Sequence, residues 1–309
     1  MTTDNPRRIG ILIGQEQDWP DAFMAAINNS QENVTAELVK IGGTFLENTC
    51  PYTVIVDRIS NEVPYYRAYL KFAALQGCHI INNPFIWSAD SKFYGLAMAR
   101  RLGMAAPRTV ALPNKFIRLS DVGPDAFRNL AYPMNWEGII AYVGVPAVFK
   151  DINSGGQHLF YLVNDVDELI QRYDESGTHS VILQQFIQSS HHIHCMVVDG
   201  REGKEALLMG YDRENGRYHP KLTNLPETIQ QTIRQNAITL TQTYQYDINL
   251  VEFVIQDDIP YVTNGSNSAP AINRDIMTKA QFDWCLQHMA DLAIRRAQNP
   301  PKQKGLHDF

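Results

Sequence analysis

The first 83 residues alternate between short apolar segments and helix-like segments, and this alternation constrains the fold more than any other feature of the sequence. The apolar runs are rich in β-branched residues and end in glycine or polar residues, as the strands of a sheet buried on both faces do. Strands are predicted at Arg8–Gly14, Val34–Ile41, Tyr52–Asp57 and His79–Asn82, and helices at Asp21–Asn29 and Tyr65–Leu75. The spacing is typical of a doubly wound parallel-sheet domain of the α/β class.

The pattern changes after Asn83-Pro84. Residues 88–91 are suited to cap a helix over Lys92–Leu102, and residues 114–140 show no clear period. Further strands are predicted at 146–150, 159–163, 180–187, 192–200, 205–211 and in a hairpin at 250–264, and further helices at 165–175, 225–242 and 282–297. We therefore predict an N-terminal α/β domain at 1–85, a central lobe at 86–183 and a C-terminal lobe at 184–309.

Composition excludes several classes of protein. Of the 309 residues, 44% are hydrophobic and 19% charged, so the chain should fold into a packed core. A net charge of −6 argues against a nucleic-acid partner. No stretch approaches the roughly 20 apolar residues that cross a bilayer, and the first residues lack the apolar core of a signal peptide, so we expect a cytoplasmic protein with no membrane partner. The four cysteines lack paired spacing and are expected to be reduced.

Lys150 ends a predicted strand and is followed by a turn that contains Gly155 and Gly156. A lysine at this place can neutralise a phosphate, and glycines let backbone N–H groups approach phosphate oxygens closely. The alternative is an ordinary hairpin turn with a solvated lysine.

Two later segments suggest the remaining parts of a nucleotide site. The apolar strand that runs into Gln184, Gln185, Phe186 and Ile187 offers backbone groups to an adenine edge, although it can equally be a plain strand. The hairpin at 250–264 carries Glu252 on one strand, with Asn264 and Asn267 near the end of the other. A carboxylate and amide oxygens suit Mg²⁺, which keeps several waters. Glu252 alone can also be a solvated strand residue.

The order of these motifs resembles the ATP-grasp superfamily, in particular the branch of glutathione synthetase and the RimK-type ligases. The resemblance covers roughly residues 80–298 and is closest to uncharacterised bacterial ATP-grasp proteins of similar length. It rests on Ser91-Lys92, Val148-Phe149-Lys150 with Gly155-Gly156, Leu183-Gln184-Gln185-Phe186, Val251-Glu252-Phe253 and Asn267-Ser268-Ala269-Pro270. Each motif is weak, but five in the correct order indicate an ATP-grasp fold whose two α+β lobes clasp the nucleotide.

The resemblance implies roles residue by residue. Lys92 and Lys150 match the lysines that contact the ATP phosphates, and Gly155-Gly156 match the loop that closes over them. Residues 184–187 match the adenine hinge. Glu252 and Asn267 match ligands of Mg²⁺.

Three departures from the family pattern reduce charge. Gln185 stands where a glutamate is usual, His194 where arginine is usual, and Asn264 or Gly265 where similar proteins have a carboxylate. Trading a carboxylate for an amide weakens the attraction for Mg²⁺.

Basic residues elsewhere complete the set of candidates. Arg213 and Arg217 lie where the branch places basic residues over phosphate, and arginine pairs two oxygens at once; a solvated loop is the alternative. In the run of histidines around His194, only His192 and His194 share a strand face while His191 points away, and two ligands do not make a metal site. In the N-terminal domain, Arg58, Glu62 and Arg67 flank the end of the third strand, where open α/β sheets bind ligands.

The resemblance implies an ATP-dependent ligase that joins a small-molecule carboxylate to an amine through an acyl phosphate. The alternative is a catalytically degenerate nucleotide-binding protein that acts as a sensor or partner subunit. By resemblance, a homo-oligomer is also expected.

Overall fold

The computed structural model describes residues 5–85, 91–116, 129–131, 133–153, 159–189, 191–199, 205–220, 222 and 225–301. The chain forms two compact units. The first comprises residues 1–89, 191–253 and 266–309, and the second residues 90–190 and 254–265. The three-part division predicted along the sequence stays a proposal.

The described elements follow the predicted order. The strands are β1 Arg7–Leu12, β2 Val34–Leu38, β3 Val54–Asp57, β4 His79–Ile81, β5 Thr109–Leu112, β6 Ala147–Asp151, β7 Phe160–Val163, β8 Val181–Gln185, β9 His192–Val198, β10 Glu205–Asp212, β11 Arg217–Tyr218, β12 Ile248–Gln256 and β13 Ile259–Asn264. The helices are α1 Asp18–Asn28, α2 Pro64–Leu75, α3 Lys92–Arg101, α4 Trp136–Val143, α5 Val166–Glu175, α6 Glu227–Thr243 and α7 Lys279–Gln298.

The first unit contains a parallel sheet of order β2-β1-β3-β4, which confirms the α/β prediction. Successive strand residues point to opposite faces, so Ile9 and Ile11 pack toward α1 and α7 while Ile55 and Ile80 pack toward α2. Because helices cover both faces, the sheet is doubly wound. The carboxyl ends of its four strands meet at one edge.

An antiparallel layer completes the first unit. Strands β11, β10 and β9 lie side by side in that order, with the first part of β12 next to β9. Helix α6 packs on β9 and β10, and α7 contacts both this layer and the parallel sheet. The C-terminal helix therefore shares its core with the N-terminal domain, from which it is more than 190 residues away in sequence.

The second unit is built on a sheet of order β5-β8-β6-β7, antiparallel throughout. One face packs Phe149 and Leu183 against Leu169 and Tyr173 of α5 and Val143 of α4. Helix α3 lies against β5 and β13. On the other face of the sheet, Lys150 of β6 and Gln184 of β8 lie beside the buried side chains of Val148 and Ile182.

Most predicted elements are confirmed, and the differences have local causes. Helix α4 was not predicted, because its only clear signal is the Asn135 cap, whose side chain accepts a hydrogen bond from Gly138 N at 2.9 Å. Strand β2 ends at Leu38 rather than Ile41. The hairpin turn falls at Asp257 and Asp258, both with positive φ. Within the described part of the chain, no helix combines the length and apolarity needed to span a bilayer.

Candidate active site

Two predicted phosphate-binding lysines meet at the end of β6 in the second unit. Lys150 lies on β6 itself, and Lys92 is the first residue of α3, which Ser91 caps through a 2.9 Å hydrogen bond from Tyr94 N. The Lys92 ammonium donates to the backbone oxygens of Asp151 at 3.0 Å and Asn153 at 2.7 Å. Both ammonium-bearing residues are therefore anchored to the same strand end, which makes this end a cationic site.

Gln184 shares a sheet face with Lys150. In the β6–β8 pairing Gln184 lies opposite Val148, two residues from Lys150, and cross-strand partners point the same way. Gln184 Nε2 and Lys150 Nζ both donate to the backbone oxygen of Thr263, at 3.5 and 3.4 Å. The common acceptor shows that the structure brings these two predicted residues together.

The predicted adenine hinge begins where β8 ends. Gln185 is its last residue and exchanges two hydrogen bonds with the backbone of Arg108: its N–H donates to Arg108 O at 2.8 Å, and its side-chain oxygen accepts from Arg108 N at 3.2 Å. Phe186 and Ile187 follow outside the strand, the former half-buried and the latter buried. Gly155 and Gly156 lie outside the described residues.

The first unit holds two of the predicted metal ligands on neighbouring segments. Glu252 is half-buried on β12, a strand whose other residues are mostly buried. The backbone of Asn267 is bonded to this strand, because its carbonyl accepts from Leu250 N and its N–H donates to the Asn249 side chain, both at 2.9 Å. Asn267 is therefore held beside the part of β12 that carries Glu252.

This donor set fits a hard divalent cation. One carboxylate and one amide oxygen are ligands that Mg²⁺ accepts, because this ion retains several waters. Among the described residues no group of three or more His, Cys, Asp or Glu side chains is placed to hold a metal. Softer ions that need histidine or cysteine are therefore poorly matched to these residues.

Asn264 and Gly265 are both in the second unit, but they differ in whether a carboxylate side chain fits at their position. Asn264 is the buried last residue of β13. Gly265 packs against Gly95 of α3 so closely that an added Cβ would lie 2.9 Å from the Gly95 carbonyl oxygen. A carboxylate at 265 is therefore sterically excluded, and Asn264 is the position at which one can be restored.

An aromatic cluster surrounds His194, which sequence reasoning missed. The imidazole stacks on Tyr211 at 4.4 Å between ring centroids, and its Nδ1 is 3.0 Å from the hydroxyl of Tyr218. Burial lowers the pKa of His194, against the opposing effect of the Glu252 carboxylate. Burial and the same carboxylate raise the pKa of both tyrosines. The cluster is thus neutral near pH 7, unlike the arginine that the resemblance expects at position 194.

Arg213 follows the last residue of β10, and Arg217 is the first residue of β11. Arg213 and Arg217 are exposed, and Arg217 lies opposite Asp212 in the hairpin.

The aromatic cluster around His194 was not predictable from spacing alone, because Tyr211 and Tyr218 reach His194 through the pairing of three strands. Only the hairpin register brings these rings together.

Fold and site together define an ATP-grasp ligase. A model of the RimK-like ATP-grasp domain matches residues 118–284, more than half of the chain, and the chain belongs to that family. No curated protein sequence matches it.

Solved structures share the fold at low identity. The D-alanine–D-alanine ligase from Bacillus anthracis complexed with ATP is 15% identical with a TM-score of 0.67, covering 95% of this chain and 99% of its own. A RimK domain ATP-grasp protein from Sphaerobacter thermophilus DSM 20745 is 16% identical with a TM-score of 0.67, over 92% and 98%. The ATP-grasp ligase PsnB complexed with precursor peptide PsnA2 and AMPPNP is 12% identical with a TM-score of 0.61, over 96% and 99%.

Proposed function

We propose that this protein joins a carboxylate to an amine in an ATP-dependent reaction that passes through an acyl phosphate. A carboxylate oxygen attacks the γ-phosphorus of ATP, and the bond from that phosphorus to the bridging oxygen of ADP breaks. The amine nitrogen then attacks the acyl carbon, phosphate leaves, and the nitrogen loses a proton. The products are an amide, ADP and phosphate.

The observation that carries the proposal is the meeting of Lys92 and Lys150 at the end of β6, on the sheet that also presents Gln184. Two fixed ammonium groups offset the negative charge of a transferred phosphoryl group, which is the main task in this chemistry. The hinge at residues 184–187 supplies backbone groups for adenine. We assign Arg213 and Arg217 to the phosphates of the substrate or the intermediate, since a guanidinium pairs two oxygens at once.

Glu252 and Asn267 are the residues that we assign to Mg²⁺. When bound, the ion neutralises phosphate charge. His194 contributes hydrogen bonding rather than positive charge, because burial lowers its pKa. This neutral residue favours the second candidate function, a nucleotide-binding protein without turnover.

One assay separates the two functions. The purified protein is given ATP, Mg²⁺ and pools of carboxylic acids and amines, and ADP and phosphate are measured. A ligase releases both in equal amounts, and only when an acid and an amine are present together. Tight nucleotide binding with no release from any pool would establish the second function instead.

Asn264→Asp is expected to lower the Mg²⁺ concentration for half-maximal rate by roughly tenfold, because ligand charge sets the affinity of such sites. The change is nearly isosteric, but it buries a carboxylate, so the melting temperature should fall without Mg²⁺ and recover with it. Melting curves and rates are recorded across a Mg²⁺ titration at constant ionic strength. A melting temperature that falls equally with and without Mg²⁺ would show that Asn264 does not face the metal.

The remaining assignments rest on the resemblance. We propose small-molecule carboxylate and amine substrates, a cytoplasmic location and a homo-oligomer, together with the division of the chain at residues 85 and 183.

A further inference from the structure

Three buried hydrogen-bond donors without acceptors lie at one edge of the parallel sheet in the first unit. They are Arg58 Nη1, Asn83 Nδ2 and Ser268 Oγ, and none of them has a hydrogen-bond partner among the described residues. Their residues are 7%, 2% and 5% exposed. Leaving a buried polar group unsatisfied destabilises the folded protein, so three such groups on segments that meet at one sheet edge indicate a ligand. We call this set the donor cluster.

The topology brings two members of the donor cluster together. Arg58 follows β3 and Asn83 follows β4, and these neighbouring parallel strands pair with Val56 opposite Ile81. Asp57 is the last residue of β3 and Ile81 the last of β4, so Arg58 and Asn83 both lie within two residues of the carboxyl edge of the sheet. This edge is formed by the carboxyl ends of the strands, where open α/β sheets bind their ligands.

The third member reaches the same edge on the segment that follows Asn267. Arg58 Nη2 donates to the backbone oxygen of Pro270 at 2.6 Å, and Asn82 Nδ2 donates to that of Ser268 at 3.5 Å. The segment is thus bonded to the ends of both strands. Ser268 lies directly after the proposed metal ligand Asn267, so the donor cluster adjoins the proposed site within the same unit.

The donor cluster is held rigidly. The Arg58 guanidinium pairs with Glu16, with Nε 3.2 Å from each carboxylate oxygen, and its central carbon lies 4.9 Å from the ring centre of Trp19. The Asn83 side-chain oxygen accepts from Phe85 N at 3.0 Å, which leaves its NH₂ group as the donor. The partners already present thus orient the remaining donors.

The chemistry of the donors identifies the ligand as a carboxylate. Guanidinium and amide N–H groups only donate, so the ligand must accept, and one water accepts two hydrogen bonds whereas a carboxylate accepts about four. The charge of Arg58 is offset by Glu16, which suits a single negative charge better than a phosphate dianion. We propose that the donor cluster binds a carboxylate of a substrate. This proposal rests on the proposed ligase function and names an anchor for one of its substrates.

Calorimetric titration without nucleotide tests the site on the full chain. The probes are free L-alanine, L-glutamate and β-alanine, the carboxamide of each, and inorganic phosphate. We expect at least one acid to bind about tenfold more tightly than its amide, since hydrogen bonds to a charged group contribute most. If no acid binds, if acids and amides bind alike, or if phosphate competes equally with the acid, the proposal is overturned.

Ser268→Ala provides the residue-level test. This substitution should weaken acid binding about tenfold. The melting temperature should stay unchanged or rise, because the Ser268 hydroxyl has no hydrogen-bond partner among the described residues. Ser176→Ala is the matched control: Ser176 is also buried but donates to Tyr173 O at 2.7 Å, so this variant should melt lower and the acid should bind normally. Acid affinity unchanged in Ser268→Ala would refute the assignment.

A second variant tests the carboxylate site again, and the separate assay of phosphate release tests the ligase function. Arg58→Lys keeps the charge beside Glu16 but has fewer donors, and it should also weaken acid binding. Because these titrations contain no nucleotide, a protein that binds the acid yet releases no phosphate from ATP would contradict the ligase and not the site.

Discussion

Replacing Lys150 by methionine is expected to weaken ATP binding about 100-fold and to remove most of the rise in melting temperature that nucleotide produces. A charge-assisted hydrogen bond contributes up to about 3 kcal/mol, and each 1.4 kcal/mol is about tenfold in affinity. Methionine retains an apolar stem, so β6 should stay packed, and Thr263 O still accepts from Gln184. Titration with a non-hydrolysable ATP analogue, alongside melting curves, measures both effects.

Lys115→Met is the matched control for this variant. Lys115 lies in the same unit but forms an exposed ion pair with Asp174, and such pairs contribute about 0–1 kcal/mol. It should therefore bind nucleotide as the wild type does. If Lys150→Met and Lys115→Met bind the analogue equally well, Lys150 does not contact the phosphates and the proposed nucleotide site is wrong.

Asp247→Ala is expected to lower the free energy of unfolding by about 3–5 kcal/mol, the usual loss when one partner of a buried ion pair is removed. Asp247 is fully buried and accepts from Arg296 at 2.9 Å and from His79 Nε2 at 2.8 Å. Arg296 also donates to Asp199 at 2.7 Å. Alanine removes the carboxylate that Arg296 and His79 share. Denaturant unfolding of both proteins measures the difference.

An exposed aspartate supplies the comparison. Asp174→Ala removes the partner of Lys115 at the surface and should change the free energy of unfolding by less than about 1 kcal/mol. The denaturant slope of Asp247→Ala should match that of the wild type if the native fold is retained. A loss no larger than that of Asp174→Ala would show that this buried network does not hold α7 to the rest of the first unit.

The positions of the two lysines that we assign to the ATP phosphates were largely predictable, and their contact with nucleotide stays a prediction. Lys150 was identified at a strand end and Lys92 through the family resemblance, and both positions depend on local signals, namely the apolar run of β6 and the Ser91 cap. Their meeting at one strand end follows from the fold that the motif order predicted. Gln184 was found by the same order of motifs.

The donor cluster and the histidine cluster were not predictable in this way. Arg58 was only a weak candidate at the end of a strand, and nothing local connects it to Ser268, 210 residues later in the chain. Burial lowers the pKa of His194, and its contacts with Tyr211 and Tyr218 arise through strand register. Both clusters depend on contacts between distant segments, and a single sequence does not encode these as a local pattern.

The sequence by itself determined the order and type of most elements, because hydrophobic periodicity and capping residues act within a few positions of the chain. It also determined the family, through motifs whose order is preserved. Only the tertiary structure decided that α7 packs on the N-terminal sheet and that Gly95 closes off position 265. It alone left Arg58, Asn83 and Ser268 as buried donors at one edge. The physical reason is that burial and hydrogen-bond satisfaction depend on which distant segments pack together, and the pattern of one segment does not specify its partner.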